Sequence, residues 1–264
     1  MGRHRVPLAL LALILTGCYT GEGSGRVVVE RFDVGEFTDV ILSGDGRVII
    51  APGEYAVSVS AEDDVVPSLA VAADGKTLVL QREVDWIDGV RPTLPIEFRV
   101  TMPMLEGVRV SGSAMATIRG VPFGDEATLA TSGAASIDAA PVECGRLIVE
   151  VGGAGEILVS GLAATTFRAA VGGSGRITAF GGSDEVEVDV SGSGIYRGSD
   201  LRGTSVRVEV GGAGQAFVWA ERRLDADVGG EGRVVYRGDP VVEGRVGEDD
   251  RITRMESAPT QPGG

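Results

Sequence analysis

Side chains able to do acid–base, nucleophilic or metal chemistry are scarce in this chain, apart from its carboxylates. The single histidine, His4, lies in a segment that reads as a cleaved signal. Ser-His-Asp and Cys-His catalysis, histidine zinc sites and histidine general bases are therefore not expected in the mature protein. Of the two cysteines, Cys18 sits where a lipid would be attached, which leaves Cys144 without a partner and best read as a small apolar residue. Among the carboxylates, Glu150, Glu187, Asp189, Glu209, Asp225 and Asp227 fall on the outward phase of alternating runs, beside Arg168 and Arg207. The plain reading is a solvated strand face of mixed charge; the sharper ones are a weak calcium site or a pair of glycosidase-type acids. Asp85-Trp86-Ile87-Asp88 places an aromatic between two acids in a loop, a pattern that can stack on a sugar or simply cover a core. Asp85, Trp86, Asp88, Glu187, Asp189 and Glu209 are thus the candidate ligand contacts. No catalytic residue, metal ligand or cofactor is expected.

Two glycine motifs fail to match the sites they superficially resemble. Gly153-Ala154-Gly155 and its relatives satisfy a dinucleotide-binding pattern loosely, but such a site needs one turn opening a helix, not seven that each open a strand. A calcium roll of the GGxGxDxU type needs an aspartate two residues after its last glycine. Here those positions hold Ile157, Ile177, Tyr196, Ala216 and Val234.

What would position these side chains is a repeat. One phrase recurs seven times between Val108 and Gly238, as VRVSGSA, LATSGAA, VEVGGAG, AAVGGSG, VDVSGSG, VEVGGAG and ADVGGEG. Its central glycines are Gly112, Gly133, Gly153, Gly173, Gly192, Gly212 and Gly230, spaced by 21, 20, 20, 19, 20 and 18 residues. Each copy opens on a period-two run with a β-branched residue two before the glycine: Val110, Thr131, Val151, Val171, Val190, Val210 or Val228. Alternation of this kind is a half-buried strand. The glycine step predicts a corner, through positive φ or close backbone approach, and a shorter apolar pair such as Ile157/Val159 follows it. Strand, corner and second strand in about 20 residues make one coil of a parallel β-solenoid, with coils stacked about 4.8 Å apart. A helix is not expected, because each interior glycine would cost it about 1 kcal/mol.

The flanks divide the chain further. Arg3 and Arg5 precede the apolar run Val6–Leu15 and then Leu15-Thr16-Gly17-Cys18, a signal ending that resembles a bacterial lipobox, with Cys18 the lipidated residue. Tyr19 rather than Asp follows Cys18, which by the same resemblance favours the outer membrane over the inner. Residues 1–18 are read as signal, 19–25 as a flexible tether, 26–250 as one solenoid domain and 251–264 as a disordered tail. Within the domain, 26–103 is expected to form an irregular N-terminal β cap with the first coils, and 104–238 the regular repeats. The cap carries Phe32, Phe37, Tyr55, Trp86 and Phe98, and its runs are broken by Gly44-Asp45-Gly46, Pro52-Gly53 and Asp74-Gly75. The formal net charge is −14, and −16 once Arg3 and Arg5 leave with the signal. That balance argues against nucleic acid and anionic headgroups as partners.

The opening FxVGEFTDVILSGDGRVII, the run Val71–Leu80 containing Asp74-Gly75-Lys76-Thr77-Leu78, and the V-x-V-[SG]-G-[SA]-[AG] repeats occur in one order. In that order they resemble the DUF2807 family, the auto-transporter adhesin "head GIN" domain, over residues 27–245. The resemblance implies a right-handed β-solenoid on secreted or lipid-anchored bacterial proteins, and no established activity. The expectation is a non-enzymatic, lipid-anchored envelope protein of adhesin-like type that offers an acidic face to a protein or glycan. A polysaccharide-active enzyme on the same scaffold and a structural lipoprotein without ligand are the alternatives.

Overall fold

Each repeat folds as predicted, into a strand, a glycine corner and a second strand that stack on the same parts of the preceding repeat. The computed structural model describes residues 21–83, 89–243 and 251–255. One ladder runs through Leu105–Gly112, Phe123–Thr131 and Val142–Val151. It continues in the second halves of Glu156–Val171, Arg176–Val190, Ile195–Val210 and Gln215–Val228. Past the corner a second parallel ladder runs through Met115–Arg119, Ser136–Ala140, the first halves of those long strands, and Arg233–Arg237. No α-helix occurs among the described residues.

Alternation sets the core. The predicted column from Val110 through Thr131 to Val228 is buried along its whole length. Parallel columns are Leu129-Val149-Ala169-Val188-Val208-Ala226 and Ala127-Leu147-Phe167-Val186-Val206-Leu224. Size is traded between neighbours in a column. Tyr196 lies between Ile177 and Ala216, packs against Phe167, and leaves no room for a side chain at position 198, where a Cβ would sit 2.3 Å from the Tyr196 hydroxyl.

The corners carry hydrogen bonds from coil to coil. Gly172 N–H donates to Val151 O (2.9 Å), Ser174 N–H to Gly153 O (3.0 Å) and Arg176 N–H to Gly155 O (2.9 Å), and the same triplet recurs in later coils. Positive φ, offered above as one reason for the glycines, holds at Gly112, Gly133 and Gly230 but at none of the four between them. Close approach is the reason common to all seven. A Cβ on any of them would lie 2.2–2.7 Å from the carbonyl oxygen of the glycine one coil earlier, Gly44 serving Gly112.

The N-terminal part is the expected cap. Asp39–Gly44 and Arg47–Pro52 form a coil directly under Leu105–Gly112 and Met115–Arg119. Thr77–Arg82 and Glu97–Met102 form another beneath that. Polarity then reverses. Leu69–Asp74 hairpins onto Thr77–Arg82, while Ala56–Glu62 adds antiparallel to Glu97–Met102 and Val27–Phe32 adds antiparallel to Ala56–Glu62. Phe37 and Phe98 are buried here, with Tyr55 5.2 Å from Phe37 between ring centres.

Two boundary expectations are corrected. Of the expected tether, Gly21–Glu22 is a strand parallel to Val90–Arg91, and Gly23 N–H donates to Arg91 O (2.9 Å). Its fastening is Glu62, only 1 % exposed, whose carboxylate accepts from Gly25 N–H, Leu94 N–H and both N–H and Oγ1–H of Thr93. Those donors, the Thr93 hydroxyl foremost, outweigh the opposing effect of burial and hold the carboxyl down to about 2. Of the expected disordered tail, Ile252–Arg254 is a strand parallel to Arg233–Arg237. Val234 N–H donates to Arg251 O and Met255 N–H to Tyr236 O, both at 2.8 Å, so Ile252 stacks on Val234 at the end of an inward column. Cys18 and residues 256–264 lie outside the described residues.

Two outcomes follow. Thr131 is the one polar member of its column, 4 % exposed, and its hydroxyl has no hydrogen-bond partner. Thr131→Val should therefore raise stability by about 1 kcal/mol in urea unfolding, by removing an unmet polar group. Because the Glu62 carboxyl is depressed in the fold, its contribution is complete above the unfolded value near 4.5 and is lost as pH falls toward 2. Melting curves between pH 5 and pH 2 should show this loss, and Glu62→Gln should lower the melting temperature at pH 7 and flatten the slope in that window.

Candidate functional site

Outward side chains stack in columns just as inward ones do, so the predicted acids are brought together by register. Asp189, Glu209 and Asp227 are successive members of one column, and Glu187, Arg207 and Asp225 of the next, continued by Arg168. Asp189, Glu209 and Asp227 edge a shallow depression of about 280 Å³ with Ser191, Val210, Gly211 and Gly229. Arg168 approaches Glu187 at 3.9 Å, and Arg207 stands 3.4 Å from Glu209 and 3.9 Å from Asp225. Glu187, Asp189 and Glu209 thus share one face, partly neutralised by arginines within it. These carboxylates are largely in water, in a setting suited to a charged contact surface. Among the described residues no three His, Cys, Asp or Glu side chains converge as metal ligands. Asp85, Trp86 and Asp88 lie outside the described residues.

Among the described residues Cys144 has no disulfide partner, and it is partly buried. Burial, assisted by the Asp125 carboxylate, pushes its thiol up to about 11, so it stays protonated at neutral pH and is a poor nucleophile.

A second site, missed in the sequence, lies on the face beyond the corner. A groove of about 430 Å³ is lined by Thr178, Phe180, Arg197, Ser199, Asp200 and Phe217, with Ala179 at its floor. Thr178, Arg197 and Phe217 are stacked neighbours, and Phe180 pairs with Asp200. Beside it Trp219 is flanked by two guanidinium groups, Arg202 at 4.6 Å and Arg237 at 4.2 Å from the ring centre. Arg237 also approaches Asp200 at 3.6 Å.

The groove forms where the repeat is broken. Gly198 pairs with Val218 but Arg202 with Trp219, so Ser199, Asp200 and Leu201 bulge without partners in the next coil. That next coil, Gly212 to Gly230, is the one of 18 residues, too short to cover the bulge. The signal was present in Ala216-Phe217-Val218-Trp219-Ala220. Small residues occupy the inward phase there and two large aromatics the outward phase, where a solvated strand needs neither.

The comparisons agree with this architecture. Three solved structures superpose along nearly the whole of their own length. A "putative lipid binding protein" from Parabacteroides distasonis does so with TM-score 0.82 at 18 % identity, covering 89 % of this chain and 99 % of that one. A "putative adhesin" from the same organism gives 0.82 at 21 %, covering 89 % and 99 %. A "putative adhesin" from Parabacteroides merdae gives 0.78 at 18 %, covering 89 % and 98 %. At such identities the likeness is one of fold. No curated protein matches the sequence. The family model described as "Putative auto-transporter adhesin, head GIN domain" matches residues 36–179 and 159–240, so the chain belongs to the DUF2807 family.

Proposed function

We propose that the protein is a lipid-anchored, non-enzymatic component of the bacterial envelope that presents the outer faces of its solenoid to a protein or glycan, in the manner of an adhesin. The observation that carries this reading is the clamp on the N-terminal segment. The strand Gly21–Glu22 starts three residues after the lipobox cysteine, and the Glu62 carboxylate ties that segment into the cap. Three residues span at most about 11 Å, so a lipid on Cys18 would hold the cap end against the bilayer. The coil of Ile195–Val210 stands six steps beyond that of Asp39–Gly44, about 29 Å further out. The variable outward faces are thereby displayed away from the membrane on a stiff stem. Tyr19 at the sorting position supports the outer membrane over the inner. The enzyme alternative draws less support, because Glu187, Asp189 and Glu209 lie on an open face, where Arg168 approaches Glu187 and Arg207 approaches Glu209.

Fractionation of cells expressing the full chain tests both halves of the proposal. Wild type should sediment with the outer membrane and need detergent for release, while Cys18→Ala appears in the soluble fraction with the same β-rich circular dichroism. Immobilised Cys18→Ala protein should then retain an envelope protein or polysaccharide without changing it. Soluble wild type, or a retained saccharide released in shortened form, would contradict the proposal.

A further inference from the structure

We infer that the groove around Phe180, Arg197 and Phe217 is a binding site for an acidic glycan, one bearing uronate-type carboxylates. The inference rests on the interaction reading above and narrows it to one face and one ligand class. Three independent observations meet at the groove. The first is its place in the fold, at the bulge Ser199–Leu201 where the ladder between adjacent coils is interrupted. At this interruption a recess of about 430 Å³ opens, within the range of small-ligand sites.

The second is the wall. Phe180 is 39 % exposed, Phe217 lines the same recess from two coils away, and Trp219 continues the aromatic surface beside it. Sugar rings present C–H faces that stack on such rings, and open aromatic platforms suit them better than they suit an acyl chain, which needs an enclosed apolar cavity. The third is charge. In a chain with 38 Asp+Glu against 24 Lys+Arg, most outward arginines have a carboxylate to hand, yet Arg197 in the groove wall has none among the described residues. The adjacent Asp200 is engaged by Arg237 instead, and Arg202 is laid over Trp219 rather than over an acid. An unpartnered guanidinium between aromatic faces matches a carboxylate carried on a sugar ring, which it can grip with two parallel N–H donors. The surrounding negative charge would repel a long polyanion, so recognition should be confined to a few units that fit the recess. Arg197 lies five strand steps, about 24 Å, out from the cap strand Arg47–Pro52, which also sets the groove apart from a bilayer held at the cap.

Tetragalacturonate is the probe, titrated by calorimetry into Cys18→Ala protein, with maltotetraose as the neutral control. Tetragalacturonate should bind at least tenfold more tightly than maltotetraose. Arg197→Ala should weaken it at least tenfold and Phe180→Ala at least threefold. Both positions are surface-facing, and unchanged melting curves will show that neither variant acts through the fold. Arg197→Lys should recover only part of the affinity, since an ammonium cannot make the paired contact. Equal binding of the acidic and neutral tetramers, or no effect of Arg197→Ala, would overturn the inference, as would no binding at millimolar concentration. Sedimentation with phosphatidylglycerol vesicles in place of the oligosaccharide would also overturn it, if it depended on Arg197. Should Arg197→Ala still retain the wild-type envelope partner, the adhesin reading stands and this groove alone is excluded.

Discussion

The contact on which the structure depends is glycine against glycine. At each corner the backbone of one coil approaches the carbonyl of the coil below so closely that a Cβ would fall 2.2–2.7 Å from the oxygen, a distance no real Cβ tolerates. A second line of glycines, Gly155, Gly175, Gly194, Gly214 and Gly232, repeats the arrangement two residues on, with preceding carbonyls at 2.4–2.8 Å from the hypothetical Cβ. Bare backbone at the corner lets the N–H and C=O groups there bond directly between coils, so the ladder does not break where the chain turns. Strand spacing is then uniform around the coil, and side chains inside and outside fall into straight columns. Burial of the valine columns adds the larger share of the free energy, but it can do so only if the corners permit the coils to close to strand spacing.

The columns explain how a repetitive scaffold tolerates irregular contents. A large residue in one coil is answered by a small one in the next, as Tyr196 is by Ala216 and by the bare backbone at position 198. Burial pushes the Tyr196 phenol upward, and its hydroxyl has no partner, so the side chain serves as an aromatic filler. Outside, where no packing constraint applies, the same register lines up acids with arginines on one face and aromatics with arginines on another. The end coils are closed differently. Antiparallel strands fold back under the cap, whereas at the far end Val241–Glu243 and Ile252–Arg254 begin one more coil.

Much of the fold was legible in the sequence because its determinants recur. Seven copies of one phrase fix strand, corner and inward valine, and a single misread copy would not have altered the period. What was missed is written only once. The Gly21–Glu22 strand depends on Val90–Arg91 and on Glu62, partners nearly 40 to 70 residues away, and nothing local distinguishes it from a tether. Ile252–Arg254 lies among charges that mask a strand just long enough to continue one column. Glu187, Asp189 and Glu209 were legible as outward residues because alternation assigns them to the outside. The aromatic groove is harder to read, because its lining comes from three different coils, although the outward Phe217 and Trp219 and the shortened final repeat are both visible in the sequence. A break in a repeat, more than any residue type, was the signal for a site.

These elements support one picture of a stiff stack, closed at one end by its cap and diversified on its faces. Its central claim concerns the corners, and amide hydrogen exchange reads them directly. If the cross-corner ladder carries the stack, the amides of Ala154, Ser174, Ser193 and Ala213 open only when coils separate. They should then be protected to the same degree as the strand amides of Val149, Val188 and Val208, close to the global unfolding free energy. Corner amides exchanging orders of magnitude faster than their strand neighbours would show that the corners are ordinary loops, and that the strands alone hold the coils together.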